Sequence, residues 1–208
     1  MKFLPGVIAM AATVVASNIL VQFLILDGIL TWGAFTYPIA FLINEVTNRV
    51  YGPKAARQVV FAGFVTGIIC SLIGTQIMLE FGPAVAIRTA YASAIAFGAA
   101  QLLDIAVFNR LRTQAWWKAP LISSICGSIL DTVLFFTISF ALFITIFGAV
   151  ADEQIAWASE TVPLLTFGPD APLWVSLAIA DWGVKMAIAV IALVPFRAFV
   201  RYLMARTA

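Results

Sequence analysis

Long apolar runs alternate with short polar joints along the whole chain. Six such runs are present, each near or above the roughly 20 residues that a bilayer core demands of a helix. They cover Pro5 to Leu26, Trp32 to Val50, Gln58 to Leu79, Ala84 to Phe108, Leu121 to Val150 and Leu173 to Phe196. The fifth is too long for an upright helix, so it is expected to tilt, kink or project. The joints carry breaker chemistry. Tyr51-Gly52-Pro53 ends run two with a glycine suited to a left-handed cap and a proline that cannot continue the coil, leading into a basic loop. Phe81-Gly82-Pro83 does the same between runs three and four, with Pro83 placed for the first turn of the next helix. The joint from Ala151 to Pro172 is the longest and mixes acids with Ile155, Trp157, Leu164, Leu165 and Phe167. It reads as an interfacial segment or a fold over a mouth.

The pattern predicts an all-α, polytopic membrane protein: a six-transmembrane-helix bundle forming one domain over residues 1–208. Composition agrees. Of 208 residues, 63% are hydrophobic and 11% charged, too few charges to keep a soluble domain of this size in solution. Met1-Lys2 runs straight into the first apolar stretch, with no well-fitting cleavage site for a signal peptide. The two cysteines, Cys70 and Cys126, fall inside predicted spans and read as buried thiols.

Charge placement sets an orientation. Lys2, then Arg49, Lys54 and Arg57, then Arg110, Arg112 and Lys118, then Arg197, Arg201 and Arg206 all fall at every second junction, ten of the 12 cations. The alternate junctions hold Asp27, Glu80, Asp152, Glu153, Glu160 and Asp170. By the positive-inside rule both termini are cytoplasmic. Arg88 is the exception, at the outer start of run four, where Glu80 or a ligand is its expected partner.

Absences exclude classes. There is no histidine, so no His-based triad, HExxH zinc site or His proton relay. No GxxxxGK[ST] loop occurs, so the chain carries no P-loop ATPase. No metal-ligand cluster, glycine-rich phosphate cradle or basic aromatic strand is present. Enzyme, metal, cofactor and nucleic-acid readings therefore find no support.

With the junction charges, Arg49 and Arg88 among them, set aside, five ionised residues remain inside the predicted spans: Glu45, Asp104, Asp131, Asp181 and Lys185. Asp131 and Lys185 fall near the midplane, each roughly 15–20 Å from its helix start at about 1.5 Å per residue. Against lipid each would cost several kcal/mol, so they are expected to face protein, water or a ligand. Asp181–Lys185 and Glu45–Arg49 are four apart and can simply neutralise each other. Asp104 and Asp131 have no cation on their own helix; Lys185 is the nearest by depth. Asn44, Asn48 and Gln101 add amides, which both donate and accept. Such a set suits a neutral or cationic ligand rich in N–H donors, and a guanine-like edge presents adjacent N–H groups that one carboxylate receives as a pair. Phe35, Tyr37, Phe97, Phe135 and Trp182 are candidates to stack on a flat ring. An unpaired buried acid also permits proton coupling. The chemistry alone does not separate a purine from an aminated vitamin. Gln101-x-x-Asp104-x-x-x-Phe108 and Ser128-x-x-Asp131-x-x-x-Phe135 echo each other on helices of opposite sense, the kind of repeat found at carrier centres.

The run GAFTYPIAFLINEVTNRVYGPKAAR resembles the signature of the queuosine-precursor, or vitamin-uptake-like, transporter family. The match lies in Tyr37-Pro38, Asn44-Glu45 with Asn48, Tyr51-Gly52 and Ala56-Arg57. AYASAIAFGAAQLLDIAVFNRLR, with Gln101, Asp104 and Phe108, is similar too, as is WWKAPLISSICGSILDTVLFF, with Ser123, Ser128, Asp131 and Thr132. The closing KMAIAVIALVPFR, with Lys185 and Pro195, matches the end of the pattern. Members usually carry an acid earlier in helix two, often in a threonine-aspartate pair, where this chain has Leu42-Ile43-Asn44; Glu45 or the Asn44 amide takes that role here. The resemblance implies an inner-membrane importer of 7-deazaguanine precursors of queuosine: the nitrile, the aminomethyl form or the free base. The expected partners are that small molecule and membrane lipid, with a homodimer left open beside a monomer. A six-helix chain with the small-residue face Ala12-x-x-x-Ala16 also resembles the substrate-capture subunits of energy-coupling-factor importers, which take vitamins or nucleobases with help from an ATP-driven partner.

Overall fold

The computed structural model describes residues 2–21, 23–25, 30–80 and 82–207. Its helices are α1 (Leu4–Leu20), the short α2 (Gly33–Thr36), α3 (Pro38–Tyr51), α4 (Pro53–Gln76), α5 (Ile87–Leu111), α6 (Lys118–Phe140), the short α7 (Ala149–Glu153) and α8 (Leu173–Thr207). Among the described residues there are three two-stranded antiparallel ribbons: β1 (Leu24–Ile25) with β2 (Leu30–Thr31), β3 (Met78–Leu79) with β4 (Gly82–Pro83), and β5 (Thr161–Pro163) with β6 (Asp170–Pro172). Among the described residues four helices, α4, α5, α6 and α8, are long and apolar enough to cross a membrane. The apolar α1 has 17 residues and rises about 25 Å. The α2–α3 segment is nearly continuous through Tyr37, which keeps helical angles.

Several boundaries differ from those the hydropathy pattern predicts, each for a local reason. No basic loop follows α3. Gly52 alone, at φ +86°, separates it from α4, and Pro53 opens α4 where its missing N–H costs nothing. Lys54 and Arg57 therefore ride on the first turns of a helix. Pro83 does not open the fourth long helix; it pairs with Met78 in a ribbon whose next pair is Leu79 with Gly82, φ +125°, and α5 starts at Ile87. The fifth run splits. Its helix α6 stops at Phe140, Ala141 is extended, and a turn with Gly148 at φ +84° leads into α7. The sixth helix runs past its predicted end at Phe196 to Thr207, carrying Arg197, Arg201 and Arg206 on its surface. Leu26, Asp27 and Phe81 lie outside the described residues.

Where α6 ends, Arg88 of α5 supplies the cap. Its side chain is fully buried, its Nε donates to the Ile138 carbonyl at 2.6 Å, and a second nitrogen donates to the Ala141 carbonyl. A cation at a helix C-terminus satisfies free carbonyls and complements the dipole. The third nitrogen meets Asp152 of α7 at 2.7 Å, so Asp152 and not Glu80 is the partner of Arg88. The 149–172 segment is a packed cap rather than a loose loop: Ile155 and Ala158 bury against Phe136 and Phe140, with Trp174, Leu177 and Ala178 at the edge. We call this the cap end of the bundle, and the opposite one, with Arg49, Arg112 and the last turns of α8, the basic end.

Small residues draw α5 and α6 close to α3. Ala92, Ala96 and Ala100 line the buried side of α5. A Cβ on Gly127 of α6 would come within 2.7 Å of the Phe41 ring and 3.3 Å of the Ala100 carbonyl. Gly127→Val is expected to overpack this junction and cost about 1–3 kcal/mol, read as a lower melting temperature in detergent. Gly183→Ala, whose Cβ meets nothing within 4 Å, serves as the control and leaves the melting temperature unchanged or slightly raised.

Candidate substrate site

Among the described residues the polar side chains of the interior fall into two centres, with a narrow cleft lined by Glu45 and Lys185 beside them. They come from helix faces at three- and four-residue spacing: Phe41, Asn44, Glu45 and Asn48 on α3; Phe97, Gln101, Asp104 and Phe108 on α5; Ser124, Ser128, Asp131 and Thr132 on α6; Asp181 and Lys185 on α8.

The first centre lies between α3 and α5. Asn44, Asn48, Gln101 and Asp104 are all fully buried. The Asn44 amide donates to Gln101 Oε1 at 2.9 Å and to Asp104 Oδ2 at 2.9 Å, which uses both its N–H groups. Much capacity stays unmet. Asn44 Oδ1, both polar atoms of Asn48, Gln101 Nε2 and Asp104 Oδ1 have no partner among the described residues. Buried polar groups are rarely left so, and five such atoms on four adjacent side chains mark a place where hydrogen bonds are expected from something else.

The second centre lies between α6 and α8 and is nearly saturated. Lys185 Nζ sits 2.7 Å from Asp131 Oδ2, 2.5 Å from Asp181 Oδ2 and 3.2 Å from Thr132 Oγ1, so each of its three N–H groups has an acceptor. Thr132 donates onward to Asp181 at 3.2 Å. The Tyr37 hydroxyl donates to Asp131 Oδ1 at 3.0 Å, and its ring lies 5.3 Å from the ammonium. Both oxygens of Asp131 are thereby engaged.

Beside the centres Glu45 Oε1 accepts hydrogen bonds from Ser124 at 2.7 Å and Ser123 at 3.2 Å. It shares a cleft with Lys185, Phe41, Ser124 and Ser128 whose free volume, about 10 Å³, is on the scale of one water. Apolar plugs pack toward both ends. Toward the basic end Val46, Phe108, Ala119, Phe196 and Val200 pack together, with Phe108 and Phe196 edge to face at 6.2 Å. Beyond them Arg49 donates to the Arg112 carbonyl at 2.6 Å and Arg112 to the Arg49 carbonyl at 2.7 Å, each capping the other's helix. Toward the other end the cap packs Ile155 and Ala158 against Phe136 and Phe140, while Asp181 keeps 16% exposure.

The sequence-predicted residues divide accordingly. Asn44, Asn48, Gln101 and Asp104 converge, and Asp131 meets Lys185 as depth suggested. Glu45 does not pair with Arg49; serines from α6 hold its carboxylate, and the guanidinium turns to a carbonyl. Tyr37 acts through its hydroxyl, while its ring packs edge to face with Phe41 and Phe97. Phe35 and Trp182 make no hydrogen bond to either centre among the described residues. They are 38% and 37% exposed and absent from the cleft lining. Trp182 follows Asp181 directly, about 100° round the helix from the Asp181–Lys185 face, and Phe35 is two residues from Tyr37, about 200° round. Asp181 pairs with Lys185 as their spacing of four suggested, and Ser124 is an addition. The spacing of Ser124, Ser128 and Thr132 on one face of α6 was the available signal.

Apolar helices packed around buried polar centres define a multi-pass membrane protein of the solute-carrier kind. Residues 31–200 match the family model described as "Putative vitamin uptake transporter". The chain is 32% identical over 199 residues to the "Queuosine precursor transporter" of Escherichia coli (strain K12), covering 88% of this chain and 78% of that protein. It is 38% identical over 122 residues to the "Probable queuosine precursor transporter" of Haemophilus influenzae, 53% of this chain and 52% of the relative. No solved structure gives a significant match. The chain belongs to the vitamin-uptake-like, queuosine precursor transporter family.

Proposed function

We propose that this chain is an inner-membrane importer of queuosine precursors of the 7-deazaguanine type, built as six membrane spans with both termini in the cytoplasm. In this reading α1 and the α2–α3 segment join the four long helices as spans. The cationic junctions support a basic end on the inside. The observation that carries the substrate is the unmet hydrogen-bonding capacity of Asn44, Asn48, Gln101 and Asp104. A guanine edge offers ring and exocyclic N–H donors beside a carbonyl acceptor. Asp104 Oδ1 and the amide oxygens receive the donors, and Gln101 Nε2 or Asn48 Nδ2 donates to the carbonyl. Tyr37, Phe41 and Phe97 supply nearby rings.

With a cleft of about 10 Å³, this conformation is closed to a base, since ligand pockets run to roughly 300 Å³ or more. Loading therefore requires helices to part at one plug while the other holds, which is alternating access around a fixed site. The test is a thermal-shift series on purified protein with 7-cyano-7-deazaguanine, its aminomethyl analogue, queuine, guanine and a panel of vitamins. A bound base raises melting in step with concentration over Kd, by about 2.7 kcal/mol at a hundredfold excess. A shift with a vitamin and none with any deazapurine would remove the reading.

A second reading is substrate capture for an ATP-driven partner. Ala12 is exposed and Ala16 half-exposed on α1, which leaves the small-residue face open for close helix approach. Uptake by liposomes holding this chain alone decides against it.

A further inference from the structure

We propose that the Asp131–Lys185–Asp181 centre is a proton-binding site that couples transport to the pH gradient, separate from the substrate centre on α3 and α5. The inference rests on the import reading only for its transport arm. Two carboxylates share one ammonium, so with all three ionised the group holds a net charge of −1 inside an apolar bundle. Among the described residues nothing in its hydrogen bonding cancels that excess, because Tyr37 and Thr132 contribute neutral hydroxyls. The titratable groups facing Asp181 are Lys185 on its own helix, Asp131 across on α6 and Tyr37 at the α2–α3 junction. Glu45 lies farther along the cleft that Lys185 lines, and α2 and β2, which also pack against α8, carry no charged side chain.

Lys185 has no donor left for a substrate, and Asp131 has no free oxygen. These side chains are spent on one another, whereas the amide centre is not. The division assigns recognition to one and charge balance to the other. Within the triad Asp181 is the group open to exchange. Its side chain keeps 16% exposure against 4% for Asp131, and it lies eight residues, about 12 Å, from the start of α8 at the cap end. A proton taken from water onto an Asp181 oxygen makes the set neutral: a carboxylic acid, and an ammonium paired with Asp131. A neutral set passes apolar helix faces at far less electrostatic cost than a charged one. Protonation from the cap side thus licenses the change of conformation, and loss of the proton at the basic end completes the cycle.

The experiment uses the full chain in liposomes, with wild type, Asp181→Asn and Asp181→Glu. A pH-jump infrared difference spectrum comes first and needs no substrate. Wild type is expected to show a protonated-carboxyl band that Asp181→Asn lacks and Asp181→Glu restores at a shifted frequency. Counterflow of labelled 7-cyano-7-deazaguanine at equal pH is then compared with accumulation under an acid-outside gradient. Asp181→Asn is expected to lose at least tenfold of the gradient-driven accumulation, and the counterflow it retains is expected to stop changing with pH. An unchanged carboxyl band in Asp181→Asn, or accumulation in wild type that follows sodium and ignores pH, overturns the proposal. Absent wild-type counterflow together with a band that vanishes in Asp181→Asn rejects the substrate assignment and upholds the proton site.

Discussion

Lys185→Met is expected to destabilise the protein by about 3–5 kcal/mol, the scale for removing one partner of a buried ion pair. The side chain is 5% exposed and is the ammonium that neutralises Asp131 and Asp181. Methionine fills a similar volume, so packing is nearly preserved and the loss is electrostatic. Two carboxylates are left facing each other with only the Tyr37 and Thr132 hydroxyls for support. Melting of detergent-solubilised protein, followed by size-exclusion fluorescence, gives the measurement. The double variant Lys185→Met with Asp181→Asn is expected to recover much of the loss, because one acid disappears and the other keeps its tyrosine donor. A single variant that melts within a degree of wild type would show that Lys185 does not hold the acids in place.

That pair also shows which parts of the site can be read from the chain alone. Asp181 and Lys185 share one helical face, so their contact follows from spacing four, a purely local rule. Glu45 and Arg49 obey the same rule and do not pair, because Ser123 and Ser124 arrive from 78 and 79 residues away to solvate the carboxylate. Local spacing cannot register that competition. The end of α6 is a similar case. Hydropathy runs on to Val150, but the helix stops at Phe140 because a guanidinium from α5 takes the carbonyls of Ile138 and Ala141. Arg88 stood out in the sequence as a cation in the wrong place; its target lay 50 residues on and was invisible there. The aromatic residues differ for a geometric reason. Composition puts Phe35 and Trp182 beside polar residues, whereas helical rotation turns them off the shared face. Buried acids and amides were legible as a class because the cost of exposing them to lipid applies whatever the fold. Their division into a saturated and an unsaturated centre depends on angles between helices, which no pattern of single positions contains.

The unsaturated centre makes the sharper forecast, since a structural and a recognising role predict opposite signs of stability change. Asn48 is fully buried and both of its polar atoms lack partners among the described residues. Asn48→Leu keeps similar bulk and removes a desolvated amide that gives nothing back in the closed state. If the residue exists for the fold, the variant should melt lower. If it exists for the ligand, the variant should melt at the wild-type temperature or higher, by up to about 1–3 kcal/mol, the cost of a buried unsatisfied group. Its affinity for the base should then fall about 10–150-fold, since losing hydrogen bonds in a desolvated site removes roughly 1.4–3 kcal/mol of binding. Isothermal titration and thermal melting on the same preparation read both quantities. Gln101→Leu provides the contrast: it strips the acceptor from the Asn44 amide and is expected to lower stability and affinity together. A stable Asn48→Leu protein that binds the deazapurine as tightly as wild type would take Asn48 out of the site and leave its unpaired amide without a reason.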